Sequence, residues 1–130
     1  MNHEIHTTTL DRLSTTIPAA SHVYMLNLLR FRPDGGREIY LGSYVPAFRA
    51  IVAAQGIEGI EPIWTGDVAG FVAGPEGETW DAILIVRYPS VAAFRAIVES
   101  DEYRDKAAPH RLAAVVDWRL IAQTEMARPG

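Results

Sequence analysis

The sequence predicts an α+β fold: one antiparallel sheet with two helices on one face, in the chain order β-α-β-(β)-β-α-β. Three observations carry this. Runs that are nearly continuous in apolar residues, His22–Arg32 and Trp80–Tyr88, look like strands covered on both faces. Between the runs, apolar residues return at three- to four-residue spacing, which is the period of a helix. Two strand–helix–strand units of similar length then follow one another, which is the ferredoxin-like βαββαβ sandwich. A chain of 130 residues is one domain of this kind. Its hydrophobic fraction of 48% and charged fraction of 22% are those of a folded protein, not a disordered one. No short-period repeat or low-complexity segment is present.

Residues 1–21 are polar and Thr-rich and read as an N-terminal extension. Leu10, Leu13 and Ile17 give a short amphipathic helix over about Thr8–Thr15, ended by Pro18. The domain proper spans 22–125. After the first strand, Pro33-Asp34-Gly35-Gly36 is a turn. Tyr40, Tyr44, Phe48, Ile51 and Val52 mark the inward stripe of a helix over Glu38–Gln55. Pro46 lies inside it, so that helix is either kinked or begins near Ser43. Gly56 suits its C-terminal left-handed position. Ile60–Thr65 and Val68–Ala73 flank Gly66-Asp67 and form a hairpin or one bent strand. Gly74–Glu78 is a loop. After Trp80–Tyr88, Ser90 caps a helix whose buried stripe is Val91, Phe94, Ile97 and Val98. Ser100-Asp101-Glu102 caps a further turn through Tyr103–Ala107, which Pro109 interrupts. Val115–Thr124 is the last strand, and residues 126–130 are a loose tail.

Composition narrows the chemistry. Cys is absent, which removes disulfides, thiolate nucleophiles, iron–sulfur clusters and Cys-ligated zinc. Of the 12 Lys+Arg, all but Lys106 are Arg, so Schiff-base chemistry has one candidate. The net charge of −4, with Arg and Asp/Glu interleaved, gives no basic footprint for nucleic acid. No apolar run approaches the roughly 20 residues of a membrane span, and the N-terminus lacks the pattern of a secretory signal. A cytoplasmic soluble protein is the expectation. No Gly-x-Gly-x-x-Gly, Gly-x-Ser-x-Gly or His-x-x-x-His pattern occurs. No metal or organic cofactor is expected, although His3-Glu4-x-His6 would hold a metal adventitiously.

Met25-Leu-Asn-Leu-Leu-Arg-Phe, Trp64-Thr-Gly, Trp80-Asp, Val86-Arg-Tyr-Pro-Ser-Val-Ala-Ala-Phe, Ser100-Asp-Glu-Tyr and Arg111-Leu-Ala-Ala resemble the DUF1330 family over His22–Thr124. The Tyr-Pro-Ser…Phe…Ser…Tyr…Arg series is the most specific part. The resemblance implies a dimeric α/β barrel: a ferredoxin-like protomer whose sheet faces that of a second copy. It carries no catalytic residues over. The wider superfamily includes cofactor-free monooxygenases, lactone isomerases, polyketide cyclases and haem-binding enzymes.

The candidate site therefore rests on this chain's own polar residues. Side chains alternate along strands, and one sheet face is expected to gather Asn27, Asp81, Arg87, Asp117 and Arg119. Two readings compete. Either the charges pair across a dimer interface, or they form a polar floor for an acidic or carbonyl-bearing ligand. In the second reading Arg87 or Arg30 clamps an anion, Asn27 polarises a carbonyl, and His110 or Asp81 moves a proton. Tyr44 and Trp64 are the expected pocket walls, with a plain core role as the alternative. His110 has the alternative of an ordinary surface histidine. Three functions stay open: a cofactor-free enzyme performing proton transfer or oxygenation on a carbonyl, lactone or aromatic substrate; a non-catalytic homodimeric binding protein with a small-molecule ligand; and, least supported, a haem protein with His22 or His110 as axial ligand.

Overall fold

A computed structural model describes residues 3–127. Residues 1–2 and 128–130, including the end of the expected tail, lie outside the described residues. The order is α1 (Thr7–Thr16), β1 (Val23–Phe31), α2 (Gly36–Ile39), a π turn (Tyr40–Tyr44), α3 (Val45–Gln55), β2 (Glu61–Asp67), β3 (Ala82–Tyr88), α4 (Val91–Val98), a second π turn (Tyr103–Ala107), α5 (Ala108–Ala114) and β4 (Val115–Gln123). All strand pairs are antiparallel and the sheet order is β2-β3-β1-β4, so the first strand is central, between β3 and β4, as the ferredoxin-like order requires. This is the ferredoxin-like α+β sandwich. Among the described residues no helix is long and apolar enough to cross a membrane.

Both helical layers solve the same proline problem in the same way. Proline has no N–H, and its ring collides with the carbonyl four residues earlier. Ahead of Pro46, the Val45 N–H reaches back five residues to the Tyr40 carbonyl. Ahead of Pro109, the Ala108 N–H reaches back five residues to the Tyr103 carbonyl. The widened π turn admits the ring and the helical path continues beyond it. Pro46 therefore does not start a helix near Ser43, and Pro109 does not end one.

Two further differences from the sequence reading are local. Val68–Ala73 is not a strand; residues 68–81 form a loop closed by the Val68 N–H donating to the Asp81 carbonyl at 2.9 Å. The N-terminal helix α1 is docked on the domain. Leu10 is buried with Val23, Met25, Tyr88 and Phe94, and Arg95 of α4 donates to Asp11 and Ser14 at 2.8 and 2.9 Å. The expected caps are present: Ser90 Oγ accepts from the Ala93 N–H at 3.0 Å, and Ser100 Oγ from the Tyr103 N–H at 3.1 Å. At the turn before α2, Gly35 has φ of +90°, and a Cβ on Gly36 would sit 2.3 Å from the Ala114 carbonyl oxygen. Glycine is what lets the chain cross α5 there.

Candidate functional site: a cavity beneath α3

The strand registers decide which side chains share a face. Trp64, Ile85, Leu26 and Ile121 form one row across all four strands, and Arg87 pairs with Tyr24 in the adjoining row of the same face. Thr65, Leu84, Asn27 and Leu120 form the row that points the other way, towards the helices. The expectation that one face gathers Asn27 with Arg87, Asp117 and Arg119 is therefore corrected. Asn27 lies under the helices, and those charged groups lie with the open face. Trp64 and Tyr44 are likewise separated by the sheet: Trp64 is 60% exposed on the open side, and Tyr44 is buried beneath the helices.

On the open face the charges pair with one another. Arg87 Nη2 donates to Glu61 at 2.8 Å. Asp117, 6% exposed, accepts from Arg30 at 3.0 Å, from Arg119 at 2.7 Å and from the Trp118 N–H at 2.9 Å. Arg30 and Arg119 also lie over the Trp80 ring, at 5.6 and 5.1 Å from its centroid. Burial works to raise the Asp117 pKa. The Arg119 and Trp118 hydrogen bonds and the Arg119 charge outweigh it and hold the carboxyl below its usual value. A carboxyl lowered by folding stabilises the protein above its unfolded pKa of about 3.9, and that stability is lost as pH falls through the folded value. Asp117→Asn should thus be less stable than wild type in urea at pH 7. The difference should shrink as pH drops below about 4; a constant difference would show that the network does not act through charge.

Asp81, Asp117 and the histidines take other places. Asp81 Oδ2 accepts from the Phe31 N–H at 2.8 Å and so ties off the end of β1. His110 is exposed on α5 and His22 is exposed ahead of β1, so neither reaches a cavity wall. His3 Nε2 lies 3.4 Å from Asp117. Among the described residues no group of three or more His, Cys, Asp or Glu side chains converges as a metal site would require.

Two cavities flank the helix-covered face. One of about 370 Å³ lies beside α1, edged by His3, His6, Leu13 and Phe94. Its rim is the N-terminal segment, whose His3 carbonyl already accepts from Trp118 Nε1 at 2.6 Å. The other, of about 360 Å³, lies between α3 and the sheet. Its walls are aromatic and aliphatic: Tyr40, Tyr44, Phe48, Val52, Leu84 and Tyr88. Asn27 forms part of its floor, with long hydrogen bonds from Nδ2 to the Met25 and Leu84 carbonyls at 3.3 and 3.4 Å. Thr65 and Pro62 enter from β2 in the position expected for Trp64.

The first π turn lines the cavity with Tyr40 and Tyr44, and the second lies behind it. Tyr44 closes the first and Tyr103 opens the second, and their hydroxyls are 2.8 Å apart. Arg111 Nη1 donates to the Tyr103 hydroxyl at 2.6 Å. The guanidinium is only 5% exposed and stacks on Trp118 at 4.2 Å. Burial pushes Tyr40, Tyr44 and Tyr88 well above the ordinary tyrosine range, so near neutral pH they are protonated donors. Tyr44, a candidate pocket residue from the sequence, lies along this cavity. The sequence reading quoted Tyr103 and Arg111 only within the series that carries the family resemblance and gave neither a place in the site. A signal existed: Tyr40…Pro46 and Tyr103…Pro109 repeat the same spacing, and each proline marks a π turn that places a tyrosine.

Solved structures of the RPA0582 protein from Rhodopseudomonas palustris, a protein of unknown function, match this chain from end to end. One is 29% identical with a TM-score of 0.81, covering 98% of this chain and 100% of the other. The methylated form is 32% identical with a TM-score of 0.79, covering 99% and 98%. The chain belongs to the RPA0582 family. At that coverage the match takes in α1 (Thr7–Thr16) as well as the sheet. A dimeric protein of unknown function and ferredoxin-like fold from Bacteroides fragilis is 17% identical with a TM-score of 0.55, covering 83% of this chain and 100% of the other. That likeness concerns the fold alone. No family model and no curated protein matches the chain.

Proposed function

We propose that this RPA0582-family protein is a homodimer that binds an apolar small molecule in the cavity beneath α3. The carrying observation is the cavity itself: about 360 Å³, walled by Tyr40, Tyr44, Phe48 and Tyr88 over the Asn27 amide. That is a ligand pocket in size and character, mostly apolar with a few convergent polar groups. The dimer reading rests on the apolar row Trp64–Ile85–Leu26–Ile121, whose two end residues are exposed, and on the description of the Bacteroides relative as dimeric. The DUF1330 relationship also belongs here, supported by the Tyr88-Pro-Ser…Phe94…Ser100…Tyr103…Arg111 series.

Binding is favoured over general-base catalysis because the hydroxyls lining the cavity are donors, while His110 and Asp81 lie elsewhere. A developing oxyanion in the cavity would find its donor in the Tyr44 hydroxyl.

Titration with naphthalene, followed by methyl NMR, tests the reading. Shifts should concentrate on Val45, Val52, Leu84 and Val86, and Val52→Trp should abolish them by filling the space. Absence of shifts at these methyls in the wild type would refute the cavity as a ligand site.

A further inference from the structure

Arg111 is a buried cation with an incomplete set of partners. Among the described residues no carboxylate forms an ion pair with it, although eight other Arg pairings with acids occur across the fold. Its Nε is buried with no hydrogen-bond partner among the described residues. A desolvated charge of this kind is costly unless something compensates it. Its one side-chain acceptor is the Tyr103 hydroxyl, and that bond fixes the direction of a longer chain.

The protons can be assigned by elimination. A guanidinium only donates, so the Tyr103 oxygen accepts from Arg111. Tyr103 is 4% exposed, and the Tyr44 hydroxyl is the sole acceptor its proton has among the described residues. Reversing that bond would leave the Tyr103 O–H, away from the cavity, with no acceptor, whereas the forward direction leaves over the proton of a residue that lines the cavity, where solvent or ligand accepts it. Tyr103 therefore donates to Tyr44. The Tyr44 proton is then left over, on a residue that lines the cavity. Each bond in such a chain polarises the next, and the chain begins at a full positive charge.

We infer that the cavity takes a ligand through a carbonyl or enolate oxygen seated on the Tyr44 hydroxyl, the last donor of a hydrogen-bond chain that starts at Arg111. This rests on the cavity being the ligand site and adds the chemical class of the ligand. The apolar body lies among Phe48, Val52 and Leu84. The partial or full negative charge on the oxygen supplies what Arg111 lacks, transmitted through two hydroxyls. Tyr103 does not line the cavity and acts through Tyr44, as a positioning and polarising residue.

The experiment compares 2-acetylnaphthalene with its carbon isostere 2-isopropenylnaphthalene, using naphthalene as a control for an intact cavity. Wild type should bind the ketone at least about tenfold tighter than the isostere. The infrared carbonyl stretch of bound, 13C-labelled ketone should lie below its value in hydrocarbon solvent. Tyr44→Phe should erase the preference. Tyr103→Phe, which leaves the Tyr44 hydroxyl in place, should weaken the preference and raise the stretch while naphthalene binds as before. Equal affinity of ketone and isostere in wild type overturns the inference and leaves the cavity reading standing. So does a preference and a stretch that survive both substitutions. Failure of naphthalene itself to bind wild type overturns the cavity reading and the inference with it.

Discussion

Leu29→Ala lowers the free energy of unfolding by about 2–5 kcal/mol and the thermal midpoint by roughly 10–20 °C. Leu29 is fully buried in the central strand, with Ala82 and Trp118 as its cross-strand neighbours. Tyr40, Tyr103, Val115 and Trp118 belong to the same buried cluster. Both π turns and β4 therefore contribute to the cluster that Leu29 belongs to. The strands are held by ladder hydrogen bonds on both sides, so they cannot close in on the space left by the lost atoms. The substitution removes transfer energy and leaves a void as well. A urea or thermal melt checks it, with Leu112→Ala as the control. Leu112 is 48% exposed, and its truncation should change stability by about 0.5 kcal/mol or less. Equal losses in the two variants would mean that the core is not centred where the structure puts it.

Ile85→Arg should convert the proposed dimer into a monomer. Ile85 stands in the middle of the row Trp64–Ile85–Leu26–Ile121, on the face that no helix covers. In a two-fold interface every substitution enters twice. Two guanidinium groups would then be desolvated against apolar surface with no carboxylate opposite. The dissociation constant should rise by at least about 100-fold. Light scattering at micromolar concentration should read near twice 14.3 kDa for the wild type and near 14.3 kDa for the variant. The mean environment of Trp64 should become more polar, since it is the exposed end of the same row. A wild type that already scatters as a 14.3 kDa particle would refute the dimer. The variant's melt should stay close to that of the isolated protomer, because Ile85 lies outside the helix-covered core.

The site was legible in part. Asn27 and Tyr44 could be named because an amide within an apolar strand and a tyrosine on a helix's inward stripe are anomalies along the chain. Arg30, Arg87 and Trp64 were also noticeable, yet they belong to the other face. Parity within one strand is written in the sequence, but the relative parity of two strands depends on register. Asn27 sits opposite Leu84 and Leu120, whereas Arg87 sits opposite Tyr24. A one-residue slip would have reversed that sorting. Histidine is the usual side chain for moving protons, which draws attention to His110, but α5 turns it outward.

By itself the sequence determined the element order, the α+β class, the central place of the first strand, the serine caps and the absence of thiol chemistry. These follow from local rules: the period of apolar residues, the chemistry of caps, and what proline and glycine permit. Only the tertiary structure decided that Asn27 faces the helices, that α1 docks on α4, and that Tyr44, Tyr103 and Arg111 meet. The three side chains of that chain come from opposite halves of the fold, 59 residues apart between Tyr44 and Tyr103. No local pattern encodes such a meeting. It arises because two proline-induced π turns are packed against one another over the same sheet.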